Sequence, residues 1–296
     1  MNAILQRGFD QTNLVGSVGG VTYRRVGGVT IASQKVPMHV SHTRTAALML
    51  TRMKWVNLVA LWKAVNQTGW HPSFERENRR ISDFNMFLRA NFAAANTFIT
   101  KEVSRSYGCV VAPCRLTSGS FLSEITCDFN GTNFANTDIA YSSTLGNSTT
   151  VKLFSDTIIT DNPGWQYGDK LTILVVRQEV TNSIPFATAF AISVTLGGGD
   201  YESTTFLSDL FEVSLLTVND GHLGLAGSLT GGVAAVHSRI VDGETICSPA
   251  QLVVNSTILT NYQGLTAFNA AAESYGGVAR NQLLTPDTSA DFIFQP

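Results

Sequence analysis

The sequence predicts an α+β fold rich in strand: an N-terminal hairpin arm plus two helices, followed by an immunoglobulin-like β-sandwich body. Three observations carry this prediction. Glycine punctuates the first 36 residues, which rules out a stable helix there. Apolar residues then recur at spacings of three and four through two segments. After Tyr107 the chain changes to short β-type runs separated by Ser/Thr/Asn/Gly turns, the pattern of a sandwich. The resulting division is 1–36 extended arm, 37–107 basic helical region, 108–262 acidic β-sandwich and 263–296 C-terminal tail.

In the arm, the β-type runs 21–26 and 29–33 flank Gly27-Gly28. Two glycines at the centre of a two-residue turn favour a hairpin, because both positions need positive φ. The first helix is predicted from about 43 to 66, with Ala46, Leu50, Met53, Leu58, Leu61, Trp62 and Val65 on its apolar side. A second helix starts at Ser82 or Asp83 and carries Phe84, Phe87, Leu88 and Phe92, aromatics that at this spacing read as core. The loop between the helices holds the densest cationic cluster, with Arg76, Arg79 and Arg80. Strands are predicted at 109–112, 121–129, 151–154, 170–178, 186–195, 210–218, 222–228, 233–241 and 251–254. The segments 233–241 and 247–254 form a hairpin across Asp242-Gly243-Glu244. Residues 130–150 read as a long polar surface loop, 269–274 as one helical turn and 283–296 as a tail.

Charge divides the chain more sharply than composition does. Residues 1–107 hold 14 Lys/Arg against 5 Asp/Glu, and residues 108–296 hold 6 against 17. A formal net charge of −2 therefore hides a basic end and an acidic end. Such a molecule attracts the opposite end of its own copies or an anionic surface. With 44% hydrophobic and only 14% charged residues, the chain is not disordered, and much of its surface is uncharged. No leader-type segment and no run of 18 apolar residues is visible, so neither export nor a spanning helix is expected.

Chemistry-bearing motifs are sparse. Cys109, Cys114, Cys127 and Cys247 lack C-x-x-C spacing and are expected to be free, buried thiols. The five histidines, His39, His42, His71, His222 and His237, form no H-E-x-x-H. There is no G-x-S-x-G elbow, although His222 and His237 near Ser228 leave a dispersed triad open. The glycine-rich 224–232 segment has no Lys-Ser/Thr finish for phosphate. No metal, cofactor or catalytic residue is expected, and the chain reads as a non-enzyme.

The segment 16–23 (GSVGGVTY), Leu61-Trp62-Lys63-Ala64, the stretch 82–87 (SDFNMF), Ala90-Asn91 and 168–176 (GDKLTILVV) occur in an order that carries a resemblance. In it the chain resembles a family of uncharacterised proteins from gut Bacteroides-type bacteria and their crass-like phages. It departs from that pattern by a longer 130–150 segment and by its C-terminal tail. The resemblance implies a phage or bacterial structural setting, and the expectation taken from it is a structural protein of a phage virion, assembled in the host cytoplasm.

Combined with the charge split, this gives an expectation of a homo-oligomeric ring, twelvefold in one form, at the head–tail connection of a neck or tail. Its partners would be further copies of itself and adjacent virion proteins, with DNA contact allowed but not required. The expected interface residues are Val21, Tyr23, Arg24 and Arg25 of the arm, the loop arginines Arg76, Arg79 and Arg80, and Phe292 and Phe294 of the tail. Two rival expectations are a capsid-decorating or head-fibre protein and a carbohydrate-binding or hydrolytic β-sandwich.

Overall fold

In a computed structural model, residues 16–26, 29–34, 46–75, 81–120, 122–130, 134–197, 205–227 and 229–276 are described. Contacts divide the chain into two units, one of residues 1–43 with 77–82 and one of the remainder.

The first unit contains β1 (Gly16–Val18), β2 (Val21–Val26) and β3 (Val29–Gln34), an antiparallel sheet in that order. Val26 pairs with Val29 and Val21 with Gln34, so the predicted hairpin of β2 and β3 forms. Of the side chains of this sheet that are described, which leave out those of Val18, Arg25, Val26 and Val29, none is buried.

The second unit is layered. It contains α1 (Ala46–Asn66), α2 (Asp83–Asn91), α3 (Lys101–Arg105), β4 (Cys114–Thr117), β5 (Cys127–Asn130), β6 (Phe134–Ala140) and α4 (Val151–Asp161). Then follow β7 (Lys170–Thr181), β8 (Ile184–Thr195), β9 (Leu216–Asn219), β10 (His222–Leu225), β11 (Gly231–Val241), β12 (Glu244–Cys247) and β13 (Ala250–Asn255). The helices α5 (Thr257–Thr260) and α6 (Gly264–Gly276) close the described chain. One sheet has the order β4-β13-β11-β7-β8, with β12 beside the far end of β11, and the other the order β5-β6-β10-β9. The fold is α+β with a sandwich-like pair of sheets.

Alternation along the central strands explains the layering. Leu171, Ile173 and Val175 of β7, with Val233 and Ala235 of β11, face the four-stranded sheet and α4 in one core. Leu174, Val176 and Ala234 face the opposite way, onto Leu58, Leu61 and Val65 of α1 and Phe87 and Leu88 of α2. Both faces of the central strands are thus covered, which is why 170–178 and 233–236 are so continuously apolar. The charge boundary at Tyr107 does not coincide with a packing boundary: helices from the basic half share a core with strands from the acidic half. Lys54, one of the basic-half cations, is turned inward, its Nζ over the Phe92 ring, and burial lowers its pKa.

Several predicted elements differ. Residues 109–112 are not a strand: apart from the Cys109 N–H, which reaches the Pro185 carbonyl, the backbone groups that bond here do so to side chains. Asn57 both accepts from the Val110 N–H and donates to its carbonyl (2.9 Å each), while Gln178 takes the Val111 N–H (2.7 Å) and donates to the Cys109 carbonyl (3.1 Å). The predicted strand at 151–154 is the first turn of α4. Thr150 caps it by accepting the Leu153 N–H (3.1 Å), and Val151, Phe154 and Ile158 form the buried helical stripe. The predicted loop 130–150 contains β6, whose Ala135, Thr137 and Ile139 are buried at period two. Of the described residues of 121–129 only 127–129 are strand, as part of β5; β9 and β10 are shorter than predicted, and 269–274 belongs to the longer α6. The hairpin of 233–254 forms, with Ser248-Pro249 separating β12 from β13.

Candidate assembly surfaces and a buried ionic cluster

The expected interface residues on β2 are surface features. Val21 and Tyr23 are half-buried and Arg24 is exposed, while Arg25 continues the strand, its backbone paired with Thr30. Arg76, Arg79, Arg80, Phe292 and Phe294 lie outside the described residues, as do His39, His42 and Ser228. The body displays isolated apolar side chains at its surface, among them Trp55, Tyr107, Val180 and Ile240.

The most highly organised polar group was not anticipated. Odd-numbered residues of β11 face the sandwich core, and this face continues past Val233 and Ala235 to His237 and Arg239. Opposite them, just before β7, stands Asp169, with no exposed surface. Its carboxylate accepts from Arg239 Nε (2.6 Å) and Nη2 (2.7 Å), from His237 Nε2 (2.7 Å) and from the Gln166 N–H (2.9 Å). Arg239 Nη2 also donates to the Gly164 carbonyl (2.7 Å). Trp165 stacks on the His237 ring, with centroids 3.8 Å apart and planes within 5°. Behind the ring, the His237 N–H donates to Ser248 Oγ (3.1 Å) and the Ser248 N–H to the His237 carbonyl (2.7 Å). The cluster clasps the 162–169 turn to β11.

Burial alone would raise the Asp169 carboxyl, but hydrogen bonds from Arg239, the Gln166 N–H and His237 outweigh it and hold the group below its usual range. Burial lowers the His237 pKa below its usual value, opposed by Asp169 and reinforced by the Arg239 charge. The ionised carboxylate can only accept, so Nε2 carries the hydrogen of a neutral ring. For a histidine with a depressed folded pKa, the unfolded chain takes up a proton the folded chain resists. Stability is therefore full above about pH 6.5 and declines as pH falls below it; the Asp169 contribution is lost only further down, below about pH 3.8. Melting temperatures between pH 8 and 5 should fall for the wild type and stay flatter for His237→Gln. An equally steep fall in the variant would remove His237 from the acid response.

This Asp–His pair has the outline of a catalytic dyad without its third member. Among the described residues, His237 Nδ1 has no hydrogen-bond partner, and none of their hydroxyls or thiols bonds to it. A cavity of about 430 Å³ adjoins the cluster, lined by Glu124, Asp138, Asn162, Trp165, His237 and Arg239. Asn162 is committed to the backbone of Ala140 and Ile158, and Asp138 accepts from Thr126 Oγ1 (2.9 Å). A second, open depression of about 760 Å³ is lined by Trp70, His71, Lys170, Ser193, Ser238 and Arg239. His222 is exposed on β10 and bonds to its own turn, so the structure does not join it to His237.

Among the described residues, no group of three or more His, Cys, Asp or Glu could hold a metal ion. The four cysteines are unpaired; burial pushes the Cys109 and Cys127 thiols up to about 12 and the Cys114 thiol higher still, so none is a ready nucleophile.

Sequence signals for the clasp exist in retrospect. His237 and Arg239 continue the period-two face of Val233 and Ala235, which places both on the core side of the strand. No family model, curated protein or solved structure matches the chain.

Proposed function

We propose that this chain is a structural virion protein, a subunit of a homo-oligomeric ring in a phage neck or tail at the head–tail connection. It acts by forming interfaces and not by chemistry. One observation carries the reading: an arm sheet of three strands in which no described side chain is buried. A small sheet needs a covered apolar face to be stable in water. Val21 and Tyr23 are half-buried and Ile31 is exposed, so these side chains leave apolar surface for a partner to cover. The segregated charge fits the same reading, since a basic end meeting an acidic end repeats naturally around a ring. Further copies and adjacent virion proteins would be the partners, a twelvefold ring being one closed form, and DNA contact is not needed. The clasp around Asp169 serves as a rigid support for the body.

Charge-driven assembly has a distinctive salt response. Raising salt from about 0.05 to 0.5 M shortens the Debye length from about 14 to 4 Å. Sedimentation at the two salts should show the assembly shifting toward the free subunit. An assembly indifferent to salt would mean that apolar contacts dominate and the charge split is incidental.

A further inference from the structure

Strand β8 stands at the edge of its sheet, with β7 on one side and no strand on the other among the described residues. Its pairing with β7 runs without a shift from Thr181–Ile184 to Lys170–Thr195. No residue of β8 is charged. Edge strands are normally protected by brevity, bulges, charged residues, proline or a covering segment; β8 has Pro185 near its start, and Ala187, Ala189 and Ala191 set one face against the helical core, but it has no bulge and no charge.

The direction of its free backbone groups follows from the turn. Asn182 (φ 51°) and Ser183 (φ 64°) are both left-handed, closing a two-residue turn. Thr181 and Ile184 are then a hydrogen-bonded pair, even-numbered residues bond to β7, and odd-numbered residues point their N–H and C=O outward. Pro185 agrees with this alternation: it has no N–H to offer, and its carbonyl accepts the Cys109 N–H (2.8 Å). Beyond it, the outward backbone groups of Ala187, Ala189, Ala191 and Ser193 have no partner among the described residues.

We propose that this outward edge of β8, over residues 187–193, is the acceptor for strand β3 of a second copy of the chain. The proposal rests on the assembly reading above and names its contact. Strand β3 is itself an edge, is also uncharged, and its six residues span about 20 Å against about 23 Å for the free part of β8. The arm to residue 36 carries four basic residues and one acidic, while the rest of the chain holds 16 basic against 21 acidic, so the overall charge favours their approach. Main-chain hydrogen bonds supply the affinity, as in other cases where a strand is added to a sheet edge.

Two variants of the full chain test this. Ala189→Pro removes an outward N–H and spares the ladder to β7, as Pro185 already does in the same strand. It should raise the concentration for half-assembly at least tenfold while melting within a few degrees of wild type. The double variant Ala32→Cys with Ala189→Cys should, on mild oxidation, give a ladder of covalent dimers and higher species that neither single variant gives. The native cysteines interfere little, three being buried and Cys127 half-buried.

If wild type assembles but Ala189→Pro assembles equally well and no ladder forms, the edge contact is overturned and the assembly reading stands. A cross-link formed only within single chains overturns it too, since the arm then folds back on its own body. A wild type that never assembles overturns the parent reading. Should Ala189→Pro fail to fold, the cysteine pair decides.

Discussion

Replacing Asp169 with Ala should destabilise the body by about 3–5 kcal/mol, the usual cost of removing one partner from a buried ionic cluster. Four donors lose their acceptor at once: two on Arg239, one on His237 and the Gln166 N–H. The guanidinium is slightly exposed and can recover some hydration, but the imidazole is buried beneath Trp165. In a body of this size the melting temperature should fall by roughly 10 °C or more. Asp169→Asn keeps the shape and an acceptor but not the charge, so it should fall between wild type and Asp169→Ala. Denaturant unfolding of the three proteins provides the check. A loss under about 1 kcal/mol for Asp169→Ala would mean the turn is held by other contacts.

Removing residues 1–36 should abolish assembly while leaving the body's melting temperature nearly unchanged. Of the arm side chains that are described, none is buried. The arm therefore contributes little to the stability of a single subunit and much to its association. Light scattering together with thermal unfolding separates the two effects. A truncated protein that still assembles would place the principal interface on the body. A large drop in melting temperature would make the arm part of the subunit's own fold.

The long elements were legible because burial repeats over many residues. Strands β7 and β11 are covered on both faces and hold apolar runs at 173–176 and 233–236, and the 21-residue α1 buries Met53, Leu58, Leu61 and Val65 at helical spacing. Failure came where side chains replaced periodicity. Residues 109–112 look like a strand but satisfy their backbone through Asn57 and Gln178, a long-range arrangement that no local pattern reports. Helix α4 starts with Val151-Lys152-Leu153-Phe154, which locally suits a strand; Thr150 and the spacing to Ile158 are the better signal. In β6 the core positions are Ala135 and Thr137, the latter donating to the Leu223 carbonyl, so the strand's inner face reads as polar loop. The Asp169–His237 contact was hidden for a related reason: the sequence shows which residues exist, whereas Asp169 is placed against His237 by the β7–β11 register.

The molar mass of the full-length protein in solution at low salt tests the central claim most directly. Mass photometry at about 0.05 M salt, where the Debye length still exceeds about 10 Å, should find one dominant species at a single multiple of the subunit mass, as a closed ring requires. A protein that remains a monomer at every concentration would contradict an assembly-forming subunit.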